Sequence, residues 1–403
     1  MTRSTRTAFA GAVALSFIAV ACGSSKAEQS AEAPVTSVAA VDATADAPAT
    51  TAAAADSGAA VCPEKLVIQT DWWPEIEHGG TYELIGPNGT ADKATFRYSG
   101  PINAKYAVGG IKTVEVRAGG DAIQFNQVTS EMYTKEEITL GYVNLSDVVR
   151  DSKVSPVVGV SKTLEVNPQM LMWDPAQITI DKPEDFAKSK AKILHFDKTT
   201  YIDWMVAKGY VTADQLDPTY GGSPSVFIEK NGNFIQQGFA TNEVWDYENT
   251  HAWKDGKPAP VKYLLMDDIG FRDYPAMMTV RKDKLEALAP CLKLLVPKLA
   301  QAWVDYLAAP DAMNAKLVDI TTTYDTYWHV NADLNTAGMA LIEEKKIGAN
   351  GPAGDYCSFD EKRAQGLVDE VKGVFTARGV DIAADVAAAT VIDNSFCAGA
   401  PGR

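Results

Sequence analysis

Histidine and cysteine are both scarce in these 403 residues, with four and five copies. His78, His195, His251 and His329 lie far apart, so none shows the close spacing that gathers ligands around a zinc ion. No H-E-x-x-H, G-x-S-x-G or nucleotide-binding glycine pattern occurs. Gly221-Gly222-Ser223 lacks the following Lys of a phosphate loop. Nothing in the chain therefore points to a metal, a cofactor or a catalytic nucleophile, and the expectation is of a protein that is not an enzyme. Basic residues are also in deficit, 37 against 52 acidic ones, for a net charge of −15. That balance excludes the basic footprint that nucleic acid demands.

Residues 23–60 lack aromatics, Leu and Ile altogether. Such a segment buries too little apolar surface to offset its ordering entropy and reads as a flexible tether. Before it, Arg3 and Arg6 precede an apolar run at 8–20 that is too short to span a bilayer. Ala19-Val20-Ala21-Cys22 then places small residues before a Cys. This is a secretory signal that resembles a bacterial lipobox. The resemblance implies a signal peptide over 1–21, a lipidated Cys22 at the head of a 22–60 tether, and a body held at the outer face of the cytoplasmic membrane. Four cysteines remain, Cys62, Cys291, Cys357 and Cys397, and an even number in an exported protein suggests two disulfides. Of three possible pairings, Cys62–Cys397 is favoured because domain termini often lie close together, with Cys291–Cys357 joining the C-terminal part.

From Lys65 the chain alternates short apolar runs with helical stretches, which is an α/β pattern. Strands are expected over 66–69, 95–98, 113–117, 138–143 and 157–160, with helices after His78, over 124–133 and after Ser146. A second set follows: a crossing segment around Trp173, a strand at 193–196, a helix from Thr199-Thr200-Tyr201, and a strand at 234–240. Strands near 263–268 and 276–281 precede a helical remainder, in which Pro290 and Pro297 are expected to break the 285–306 stretch. The pattern gives two α/β lobes, 61–165 plus 269–403 and 166–268, crossed twice by the chain. Two crossings make a hinge, and a hinge implies a cleft that closes on a ligand.

The stretch after the first strand, Asp71-Trp72-Trp73-Pro74-Glu75-Ile76-Glu77-His78-Gly79-Gly80-Thr81-Tyr82, concentrates chemistry where ligands bind in open α/β sheets. Adjacent strand residues point to opposite faces, so at most one of Trp72 and Trp73 faces the cleft. Asp71 and Glu75 could pair with amino groups, and His78 and Tyr82 could share one helical face. In the second lobe Thr199, Thr200 and Tyr201 stand at a helix N-terminus that suits an anion or a polar acceptor. Glu243 at a strand end and Trp173 on the first crossing complete the candidate ligand-binding set.

This architecture resembles the substrate-binding proteins of ABC importers, with the two-lobe periplasmic binding protein type II fold. Asp71-Trp72-x-Pro74-x-x-x-His78-x-Gly80-x-Tyr82 resembles the signature of the thiamine-pyrimidine-precursor branch of the nitrate, sulfonate and taurine binding family. Pro183-Glu184-Asp185-Phe186 and residues 234–244 occupy places similar to that family's second-lobe segments, and the likeness covers roughly residues 64–310. Glu75, Glu77 and the segment 86–102 depart from the family pattern. The resemblance implies a monomeric binding protein that hands a small molecule to a permease and its ATPase, with a pyrimidine-like heterocycle as ligand. A sulfonate, nitrate or taurine-type anion is the alternative ligand. A pyrimidine-synthase-like enzyme and a sensor module on the same fold are the alternative functions.

Overall fold

A computed structural model describes residues 60–403. The signal peptide, Cys22 and nearly all of the 22–60 tether lie outside the described residues. Twelve strands and twelve helices follow. The strands are β1 (Lys65–Gln69), β2 (Thr90–Asp92), β3 (Arg97–Pro101), β4 (Thr113–Arg117), β5 (Leu140–Val143), β6 (Val157–Ser161), β7 (Gln169–Trp173), β8 (Ile193–Leu194), β9 (Leu216–Asp217), β10 (Ile235–Phe239), β11 (Lys262–Leu265) and β12 (Met277–Arg281). The helices are α1 (Gly79–Tyr82), α2 (Val128–Thr134), α3 (Leu145–Arg150), α4 (Asp185–Ser189), α5 (Thr200–Ala207), α6 (Ser225–Glu229), α7 (Glu243–Asn249), α8 (Leu285–Ala308), α9 (Asp311–Tyr324), α10 (Ala332–Glu344), α11 (Glu361–Ala377) and α12 (Ala388–Val391).

The strands form two sheets, of order β2-β3-β4-β1-β5-β12-β6 and β11-β7-β10-β8-β9. β1 is central in the first, parallel to β4 and β5. Its run Leu66-Val67-Ile68 is buried on both faces, as a parallel strand covered by helices must be. The chain passes to the second sheet between Ser161 and Gln169 and returns between Leu265 and Met277 to add β12 antiparallel to β5 and β6. This is the mixed α/β, two-lobe type II arrangement.

Arg363 of α11 ties the two passages together. Its guanidinium donates to the Glu165 carbonyl (2.7 Å) and carboxylate (2.9 Å), and to the carbonyls of Arg272 (3.0 Å) and Asp273 (2.7 Å). It also stacks 3.9 Å from the Tyr274 ring centroid.

Several local expectations are corrected. The strand expected over 95–98 is present as β3, and in the segment 86–102 it forms with the unexpected β2 a hairpin whose second strand pairs with β4. The helix expected over 124–133 starts only at Val128, because Gln124 and Phe125 both take left-handed backbone, at φ 56° and 55°. Trp173 does not lie on a crossing but ends β7, packed edge-on against Phe186 in the core. Pro290 and Pro297 do not break α8. Each proline removes one backbone bond at a cost of about 3 kcal/mol. Burying Leu292, Leu295, Val296, Leu299 and Trp303 of the same helix contributes about 1.5–3 kcal/mol per side chain and outweighs that. By length and composition α8 could cross a bilayer, yet that apolar face is spent on the core.

The disulfide pairing is also corrected. Cys62 bonds Cys291, and Cys357 bonds Cys397. The start of the folded body lies against α8 and the end lies against the 357 segment, so proximity of termini was the wrong guide.

Candidate functional site

The site begins where β1 stops. Gly119 and Gly120 pass so close to the following loop that a side chain cannot be added. A Cβ on Gly119 would meet the Thr70 carbonyl oxygen at 2.4 Å, and one on Gly120 (φ +61°) would meet the Trp72 ring at 2.8 Å. The freed backbone N–H groups donate to the carbonyls of Trp72 (2.8 Å) and Asp71 (3.0 Å) and fix the loop. Trp72 and Trp73 then diverge. Trp72 is half-buried and meets Phe196 and Trp328 at ring distances of 5.2 and 5.7 Å. Trp73 is 1% exposed, edge-on to Phe96 at 5.0 Å, and its indole donates to Asp121 at 2.6 Å.

Elements of both sheets wall a cavity of about 490 Å³. The first sheet's side supplies Asp71, Trp72, Glu75, Phe125, Asn144 and Asp147; the second supplies Phe196, Thr199, Thr200, Tyr201, Tyr220 and Glu243; Trp328 follows α9. Five carboxylates line it, Asp71, Glu75, Asp147, Asp197 and Glu243, against one ammonium, Lys198, which is exposed.

Of the residues singled out from the sequence, Asp71, Trp72, Glu75, Thr199, Thr200, Tyr201 and Glu243 come together on this wall. Trp73, His78, Tyr82 and Trp173 do not line it; all four are buried. His78 lies behind the wall, with Nε2 3.0 Å from Asp71 Oδ1 and 3.8 Å from Glu75 Oε1. Tyr82 packs against Tyr98. Phe125, Phe196, Tyr220 and Trp328 were missed. They sit in turns and loops with no periodicity, and only their aromatic identity marked them.

The carboxylates crowd one another. Burial first, then Glu77, Asp71 and Glu243, hold the Glu75 carboxyl well above the usual range. Burial also pushes Glu243 up to about 8, with Glu77 and Asp246 adding to it, although the Phe239 N–H donates to it at 2.8 Å. Gly238 makes room for that contact, since a Cβ there would meet the Glu243 carboxyl at 2.7 Å. Glu77 accepts from Thr241 Oγ1 and from Asn242 Nδ2 (3.3 Å), so a carboxylate following β1 grips the segment following β10.

No protein-family model matches the sequence, and no curated protein matches it. Solved structures do match in shape. A protein from Bordetella bronchiseptica RB50 superposes with a TM-score of 0.54 at 10% identity, over 84% of this chain and 97% of that one. The alkanesulfonate-binding protein SsuA from Xanthomonas axonopodis pv. citri, bound to MOPS, gives 0.51 at 11%, over 83% and 99%. The ligand-binding component of an ABC-type import system from Staphylococcus aureus, with zinc bound, gives 0.50 at 11%, over 84% and 100%. The chain shares their fold. At these identities the likeness carries the fold alone.

Proposed function

We propose that this chain is the extracytoplasmic solute-binding lipoprotein of an ABC importer. It captures a small polar or aromatic organic solute, with a pyrimidine-like heterocycle favoured, and does no chemistry on it. Its lobes are residues 61–165 plus 269–403 and 166–268, and it is anchored through Cys22 at the outer face of the membrane as a monomer serving a permease and its ATPase. The observation that carries this reading is the aromatic and polar cavity walled by elements of both sheets. Such a site buries most of a drug-sized ligand and closes when the sheets approach. Trp72, Phe196 and Trp328 offer ring faces to a flat ligand, and Asp71, Glu75 and Glu243 offer acceptors to its amino groups.

The anion reading draws support from the helix N-terminus of α5 on the cavity wall and from the ligand of the Xanthomonas neighbour. The excess of carboxylates on the wall opposes it. Mass spectrometry of ligand co-purified from the native host, together with thermal-shift screening of pyrimidines, amines and sulfonates, tests the proposal. A chain that carries no solute and responds to none of the panel overturns it.

A further inference from the structure

We infer that the cavity selects a small organic cation bearing no anionic group, because the chain's own Asp147 fills the pole that would receive an anion. The inference rests on reading this cavity as the solute site, and it names the charge class of the solute.

The cavity has two dissimilar ends. One is aromatic and acidic. Trp72, Phe196 and Trp328 meet at tilted and edge-on angles, with Tyr220 4.9 Å from Phe196. Asp71, Glu75 and Glu243 stand among them. Ring faces and the Asp71 carboxylate favour an organic ammonium, through cation–π attraction and charge pairing, and a cation seated there in turn favours the ionised form of the Glu75 and Glu243 carboxyls.

The other end is the N-terminus of α5, an eight-residue helix whose free N–H groups and dipole favour negative charge. Its hydroxyls are already used. Thr200 Oγ1 donates to Asp147 Oδ1 at 2.8 Å, and Thr199 Oγ1 donates to the Phe196 carbonyl at 2.7 Å. Asp147 reaches across from α3 and is held there from its own side. Arg150 Nη1 donates to it at 2.7 Å and Asn144 Nδ2 at 3.0 Å. Arg150 also donates to the Lys198 carbonyl at 3.1 Å, so the guanidinium is committed to this bridge. A ligand sulfonate, phosphate or carboxylate entering here would meet the Asp147 carboxyl, hydrogen-bonded to Thr200 beside those N–H groups.

One group at this end is left for the ligand. The Tyr201 hydroxyl is buried, belongs to a side chain on the cavity wall, and has no hydrogen-bond partner. It suits a neutral polar atom of the solute, such as a ring nitrogen or a hydroxyl.

Calorimetric titration of the purified mature chain with matched pairs tests the inference: choline against glycine betaine, and benzylamine against 4-(aminomethyl)benzoate. The cation of each pair is expected to bind at least tenfold more tightly than its anion-bearing counterpart. Asp147→Asn is expected to raise affinity for the anion-bearing member and narrow the gap. The comparison within each pair uses the unaltered chain, so it stands even if the variant folds poorly. Equal or tighter binding of the anion-bearing members overturns the charge rule and leaves the capture reading intact. Binding of neither class overturns the inference, and the absence of any co-purified solute as well overturns the capture reading.

Discussion

Trp72 has aromatic neighbours on both sides of the cavity, Phe125 and Phe196, and a place on its wall, whereas Trp73 is locked in the core by Phe96, Tyr324 and Asp121. Their alanine variants should therefore separate binding from stability. Trp72→Ala is expected to weaken binding of the tightest cation about tenfold or more, since cation–π contacts contribute about 1–2 kcal/mol when desolvated. Its urea midpoint should stay close to that of the parent. Trp73→Ala is expected to cost about 3–5 kcal/mol of stability by urea titration, as buried Trp deletions do. Glu243 sets a pH dependence. Its folded carboxyl titrates at about 8 against an ordinary 4.5, so the folded state holds the proton more tightly. The stability it contributes is full below pH 4.5 and is lost as pH rises through about 8. Glu75 and Glu77 are raised too and act in the same direction. Denaturation midpoints measured from pH 5 to 9 should fall with rising pH, and Glu243→Gln should make that fall shallower. The sequence marked Trp72, Glu75 and Glu243 as candidates because charge and aromaticity beside a strand end are visible locally. It could not rank Trp72 over Trp73, because that depends on which way the loop turns over Gly119 and Gly120.

At the scale of elements, the hinge is where distant pieces meet. Arg363 of α11 is nearly saturated with bonds to both passages between the sheets. A lysine there keeps the charge but loses the planar fork and the stacking on Tyr274. Arg363→Lys is expected to cost about 3 kcal/mol and to speed hydrogen exchange in residues 162–168 and 266–276 relative to the parent chain. Strand and helix order could be read from β1 onward because burial periodicity is a local property of the chain. β3 was signalled by the short run at 95–98, but its hairpin partner β2 was not, since Thr90-Ala91-Asp92 is too short and polar to mark a strand. The continuity of α8 through two prolines was equally hidden, because tertiary burial and not propensity decides it.

At the scale of the whole molecule, the proposed capture of a solute would link binding to folding. Ligand at a hundred times its Kd should stabilise the chain by about 2.7 kcal/mol, read as a rise in the urea midpoint, and the Trp72→Ala variant should show less. The sequence by itself determined the two α/β units, the double passage between them, and the loop after β1 as a place of concentrated chemistry. These follow from composition and periodicity, which act over a few residues at a time. Only the tertiary structure decided the rest. It paired Cys62 with Cys291 and Cys357 with Cys397, set Trp72 rather than Trp73 at the cavity, and brought Asp147 to the start of α5. Each of these joins residues far apart in the chain, and such distances are set by how sheets and helices pack, not by what stands beside each residue in sequence.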